Sequence, residues 1–169
     1  MMALNQAIAQ ATLLEEAELA SYVINATKEV FGTMVMMTLE DCYPLKEPVT
    51  SFHCSVTGMV GLAGTYTGIL SIHCPKSLAL RITSNMLGME VDEVGEDVND
   101  ALGEIANMLG GYVKQILSKG GLDIHLSIPT VIAGEDYTVN SMADKDCVII
   151  PFINGGERFL VGLKLRKEA

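Results

Sequence analysis

Apolar positions along the chain switch between two periods, and the switches mark out its elements. Residues 13–31, LLEEAELASYVINATKEVF, repeat at helical spacing and place Leu19, Val23, Ala26, Val30 and Phe31 on one face. A short apolar run at about 33–39, TMVMMTL, predicts a strand that DCYPLKEP stops. Residues 50–59 and 65–74 read as two strands joined by a turn in the glycine-rich GMVGLAG segment, which makes a hairpin. Pro75 then opens a helix through KSLALRITSNMLG, with Gly88 near its end.

The stretch from Asp97 to Lys119, DVNDALGEIANMLGGYVKQILSK, carries the clearest amphipathic pattern. Leu102, Ile105, Leu109, Tyr112, Val113 and Ile116 form one apolar stripe, which predicts a core-facing helix. Asp100, Glu104, Asn107, Gly111, Lys114 and Ser118 fall on the opposite face, so an acid, a second acid and an amide stack on consecutive turns. Gly103, Gly110 and Gly111 flank them, at a cost of about 1 kcal/mol each against alanine. Such a cluster asks for a reason, and close approach of another surface is one. Gly120 and Gly121 end the helix. LSIPTVIAG follows as a strand that Pro129 confines to an edge, a bulge or a strand start. CVIIPFI and RFLVGLKLR, separated by Asn154-Gly155-Gly156, form a last hairpin. The order predicts an α+β fold, a mostly antiparallel sheet built of hairpins with helices packed over it. With 169 residues the chain reads as one domain, with residues 1–14 as a flexible or additional N-terminal segment.

Composition narrows the function. Apolar residues make up 49% of the chain, which is enough for a sizeable core and argues against disorder. A net charge of −10 opposes any large contact with a phosphate backbone. Much of it gathers in Glu90, Asp92, Glu93, Glu96, Asp97 and Asp100, where carboxylates suit the start of a helix. This link lacks the alternating ligand spacing of a calcium loop. Apolar runs are too short to span a bilayer, and the N-terminus has no basic region like that of a signal peptide, so a cytoplasmic protein is expected. Cys42, Cys54, Cys74 and Cys147 form no close pair and should be reduced there. His53-Cys54 and His73-Cys74 resemble zinc ligands at first, but neighbours on a strand point to opposite faces, so no metal site is expected.

The polar face of the central helix offers few chemistries. It has no histidine, serine or cysteine beside Glu104 and Asn107 for a nucleophile and its base. Asp100 lies along the same surface, not across a cleft from Glu104 as a glycosidase would need. Hydrolysis of an acyl phosphate, whose leaving group departs easily, needs only positioning and charge stabilisation. A neutral amide can hold water in line without repelling phosphoryl oxygens, and a carboxylate can pair with a cation on a partner. By pattern alone the same two residues read as a solvated, idle surface. The NMLG of the central helix also occurs at Asn85–Gly88, but Ile82 stands where Glu104 stands in the second copy, so the echo is not a second site.

Asp100, Glu104 and Asn107 fit the pattern Asp/Ser-x3-Glu-x2-Asn-x22-Pro, with Pro129 one residue short of the last spacing, and in this the chain resembles the CheC/CheX/FliY phosphatases of bacterial chemotaxis. The segments GMVGLAGTYTG, ALRITSNMLGME, DVNDALGEIANMLGGYVK and LSIPTVIAGEDY resemble the CheX branch, and the likeness covers roughly residues 15–165. The resemblance implies a CheC-like fold and a phosphatase acting on the aspartyl phosphate of a CheY-type response regulator. It implies that Asn107 orients the attacking water, that Glu104 pairs with the receiver's lysine, and that Asp100 and Pro129 support them. It implies no cofactor of the chain's own, magnesium being carried by the receiver. The first helix has Glu18 but Ser21 where a second Glu-x2-Asn site needs asparagine, and one site per chain fits the homodimeric CheX branch. Two alternatives stand beside this: a non-catalytic adaptor that binds a receiver or signalling protein through the same helix, and a metal-dependent hydrolase using the acidic link and the histidines.

Overall fold

The computed structural model describes residues 16–44, 51–118, 123–140 and 147–167. Its elements run α1 (Glu16–Val30), a π-helical turn (Phe31–Val35), β1 (Glu40–Asp41), β2 (Ser51–Gly64), β3 (Tyr66–Cys74), α2 (Lys76–Leu87), α3 (Glu96–Leu117), β4 (Ile124–Leu126), β5 (Thr130–Asn140), β6 (Cys147–Asn154) and β7 (Glu157–Lys167). The strands form one antiparallel sheet in the order β1-β6-β7-β3-β2-β4, with β5 also paired to β2. This is the α+β architecture that the hydrophobic pattern predicts. Residues 1–14, the Gly120-Gly121 helix stop and most of the stop after Asp41 lie outside the described residues.

The helices cover one face of the sheet. Leu19, Val23, Ala26 and Val30 of α1 are buried there, as are Leu78, Ala79 and Ile82 of α2. They meet Val56, Val60 and Leu62 of β2, Leu70 and Ile72 of β3, Val148, Ile150 and Phe152 of β6, and Phe159, Val161, Leu163 and Leu165 of β7. Phe159 stacks between Phe31 at 5.0 Å and Phe152 at 5.3 Å, which fastens the end of α1 to the β6–β7 hairpin. No helix among the described residues is long and apolar enough to cross a membrane.

Three local expectations need correction. TMVMMTL is not a strand: the chain leaves α1 through the π-helical turn, and Met36 adopts a left-handed conformation with φ 58°. Val35, Met37 and Leu39 are buried in alternation with exposed neighbours, so the period was real, but only Glu40 and Asp41 find a strand to pair with. The Met37 amide donates instead to the Phe31 carbonyl at 3.0 Å. Most of GMVGLAG is strand: Gly58 to Ala63 lie within β2, and the chain reverses only at the segment's last residue, Gly64, whose φ of 131° a side chain would resist. In the last hairpin Asn154 and Glu157 are paired strand residues, and Gly155 and Gly156, both at positive φ, make the two-residue loop. Asn154 instead ties elements together: its amide donates to the Thr38 carbonyl at 2.8 Å, and Arg81 donates to its Oδ1 at 2.8 Å.

The opposite face of the sheet holds a smaller apolar cluster and a buried polar chain. Ile149 and Leu160 pack there with Phe52 and Cys147. His73 sits in register with both Thr57 and Leu160. Its Nδ1 shares a hydrogen bond of 3.0 Å with Thr57 Oγ1, and its Nε2 one of 2.9 Å with Ser71 Oγ. Tyr137 donates to Thr57 at 2.6 Å. Burial without a carboxylate partner favours the neutral imidazole and lowers the His73 pKa from 6.5 to about 4.

Two outcomes follow from this packing. The unfolded chain binds a proton at His73 more readily than the folded one, so stability is complete above pH 6.5 and falls as pH drops through that value to about 4. The loss should approach about 3 kcal/mol, and denaturant midpoints across that range should flatten in His73→Gln. Gly58→Ala puts a methyl group 2.7 Å from the Leu102 carbonyl oxygen, a backbone atom that cannot swing aside. It should lower stability by about 1–3 kcal/mol in a thermal or denaturant melt.

Candidate functional site

The site is built on α3, and α3 is positioned by what lies beneath it. Its start has acidic Glu96 and Asp97 in the first turn, where the helix dipole favours them. Leu102, Ile105, Leu109 and Val113 are buried against the sheet, with Tyr112 and Ile116 packed at the margin, as the periodicity predicts. The seating is very close. A Cβ on Gly58 of β2 would lie 2.7 Å from the Leu102 oxygen, and a Cβ on Gly110 would lie 2.6 Å from Val60 Cγ1. Helix and strand approach so nearly only because neither position has a side chain.

This revises the role of the glycines. Gly103 and Gly110 are buried and turned toward the protein, not toward an incoming surface. Gly111 alone of the three faces open space, with nothing near where its Cβ would be. Close approach from outside is therefore an argument that applies to Gly111 only.

Asp100 and Glu104 are exposed, and Asn107 is half-buried. Glu104 and Asn107 are one turn apart on adjoining positions, which sets their Cβ atoms about 5–6 Å from one another. Among the described residues neither side chain has a hydrogen-bond or ion-pair partner, so both heads are available.

The partial cover of Asn107 has an identifiable source. Gly103, Asn107 and Gly110 follow one another at steps of four and three, and so lie on one stripe of the helix. Pro129 Cβ and Val131 Cγ2 lie 3.6 Å and 3.5 Å from where a Cβ on Gly103 would stand, and Leu126 Cδ2 lies 3.6 Å from that of Gly110. The chain from Leu126 to Pro129 thus runs along this stripe, past Asn107. Pro129 comes just before β5 begins, the strand-start position open to a proline. It helps break the edge along β2 into β4, paired to residues 62–64, and β5, paired to residues 51–59. All four motif residues are therefore on or beside one surface.

A residue that sequence reasoning missed holds this edge in place. The Ser127 amide donates to the Gly61 carbonyl at 2.9 Å, and the Gly61 amide donates to Ser127 Oγ at 2.8 Å. Nothing in the local pattern singles out Ser127. Gly58 did carry a signal, because a glycine inside a strand marks close backbone approach.

Other chemistry is poorly placed. The NMLG echo on α2 has Asn85 donating to the Val35 carbonyl at 2.9 Å, and Ile82 is fully buried. That asparagine is occupied in holding the π-helical turn. Burial pushes the Cys54 and Cys74 thiols up, away from the reactive thiolate. His53 is exposed while Cys54 is buried, and His73 packs on the outer face while Cys74 joins the main core. Among the described residues no three histidine, cysteine or acidic side chains come together as a metal cluster.

Comparison with known proteins agrees with the fold. The family described as "Chemotaxis phosphatase CheX" matches residues 56–153, which include the whole of α3 and Pro129. The curated CheY-P phosphatase CheX of Thermotoga maritima is 31% identical over 88 residues, 52% of this chain. The match spans 57% of that relative's length. The crystal structure of the chemotaxis protein CheX from Vibrio vulnificus superposes with a TM-score of 0.78 at 28% identity, covering 88% of this chain and 99% of that one. A Borrelia burgdorferi CheX, solved with CheY, BeF3 and magnesium, shares the fold with a TM-score of 0.73 at 23% identity, covering 88% of this chain and 98% of that one.

Since Gly111 meets nothing within 4 Å, Gly111→Ala should raise the melting midpoint, with a gain of up to about 1 kcal/mol. A loss of stability would mean that the position is packed after all.

Proposed function

The chain belongs to the chemotaxis phosphatase CheX family, and from that premise we propose that it hydrolyses the aspartyl phosphate of a CheY-type response regulator. The observation that carries this reading is the Glu104–Asn107 couple, unpaired among the described residues, on the outer face of α3, beside the edge that ends at Pro129. Glu104 reaches outward as an exposed carboxylate and pairs with the receiver's lysine, which fixes where α3 docks. Asn107 then enters the phosphorylated pocket. Its carbonyl oxygen accepts a hydrogen bond from a water, and the amide holds that water in line with the phosphorus. Water oxygen bonds to phosphorus as the bond from phosphorus to the aspartyl oxygen breaks, so the products are inorganic phosphate and the free carboxylate. A carboxylate at position 107 would repel the phosphoryl oxygens, whereas the amide is neutral.

Asp100, one turn before Glu104, adds negative charge to the docking face, and Pro129 holds the edge beside Asn107. The chain brings no cofactor in this scheme, and magnesium is carried by the receiver, where it neutralises the developing charge. The same reading takes the protein to be a cytoplasmic homodimer with one site per chain. The T. maritima relative, named for its action on CheY-P, supports the choice of substrate.

Phosphate release from phosphorylated receiver tests the proposal against the adaptor reading. Asn107→Ala should still bind the receiver but turn over at least about 100-fold more slowly. Glu104→Ala should lose binding and turnover together. Wild-type rates in Asn107→Ala would leave the adaptor reading standing and remove the catalytic one.

A further inference from the structure

The surface beside Asn107 is apolar as well as polar. Ile128 lies in the segment that runs along the Gly103–Asn107–Gly110 stripe, between Ser127, pinned to Gly61 of β2, and Pro129, set against Gly103 of α3. It is 87% exposed, ahead of Met36 at 73% and Met89 at 61% among the described residues. An exposed isoleucine on its own is ordinary on a protein surface. Ile128 differs in being held out by a fastened backbone: Ser127 Oγ donates to the Ile128 carbonyl at 3.0 Å while accepting from the Gly61 amide. A side chain presented from such a mount gives up little freedom when a partner covers it.

The helix beside it supplies charge and hydrogen bonding. Asp100 and Glu104 are exposed carboxylates, which fix orientation at a docking surface more than they add affinity. Affinity in such surfaces comes from a few apolar or aromatic anchors near the centre, and exclusion of bulk water strengthens the polar contacts around them. Resting on the phosphatase reading above, we infer that Ile128 is the apolar anchor of the docking site. Its occupant is a receiver domain with a nonpolar side chain bordering the pocket of the phosphorylated aspartate. The helix thus supplies orientation and chemistry, and the edge segment supplies affinity and selects among receivers by the character of that border.

The test uses the whole protein with a CheY-type receiver of its own organism, phosphorylated for turnover and loaded with beryllofluoride and magnesium for binding. Ile128→Ser should raise KM and weaken binding by about tenfold, with kcat within about twofold of wild type. Ile128→Val should restore most of the affinity, and Ile128→Asp should weaken binding further. Because the side chain is so exposed, thermal melts of all three should match wild type, which separates docking from folding. Unchanged KM and affinity in Ile128→Ser and Ile128→Asp, beside an active wild type, would overturn the inference alone. No hydrolysis by wild type on any receiver would overturn the phosphatase reading and this inference together.

Discussion

The distance between α3 and β2 is the constraint on which the rest of this structure depends. Gly58 and Gly110 lack side chains where helix and strand meet, so the Leu102 carbonyl can rest almost on the strand backbone. That depth buries Leu102, Ile105 and Leu109 completely or nearly so, and fixes the helix's rotation. A fixed rotation is what turns Glu104 outward. Any side chain at Gly58 would lift the helix and turn the polar face with it, so a residue in a strand governs a site on a helix.

The second constraint is the broken edge of the sheet. Had β4 and β5 continued as one strand along β2, the chain beside α3 would be a regular ladder. The break at Ser127 to Pro129 lets the chain bend toward the helix, and Ser127 makes to Gly61 the hydrogen bonds that regular pairing would otherwise supply. The result is a short wall along the stripe of α3 on which half-buried Asn107 lies. The family match covers both halves of this arrangement, helix and wall together.

The two Asn-Met-Leu-Gly segments show how local sequence and use part company. Asn85 and Asn107 have the same three residues after them, and each lies on a helix covering the same sheet. Asn85 donates to the Val35 carbonyl and closes the end of the π-helical turn, next to the left-handed Met36. Asn107 is left without a partner among the described residues. A backbone carbonyl within reach makes one structural, and its absence leaves the other open to a ligand.

The helices, the hairpins and the residues of the polar couple were all legible in the amino-acid order, because amphipathic period and turn chemistry act over a few neighbours. Leu19, Val23, Ala26 and Val30 had to share a face whatever lay beneath them, and so did Glu104 and Asn107. Other features depend on residues far apart in the chain. TMVMMTL alternates like a strand, yet a strand needs a partner, and the sheet offers one only to Glu40 and Asp41. The glycines of GMVGLAG look like a turn until Leu102 is placed over one of them and Ser127 beside another. Gly103 and Gly110 resemble openings for a partner until Pro129 and Val60 are found against them. Period and spacing therefore settled which groups the chain could present. Tertiary contact alone decided which stayed free, since a side chain's freedom is a property of what else reaches it.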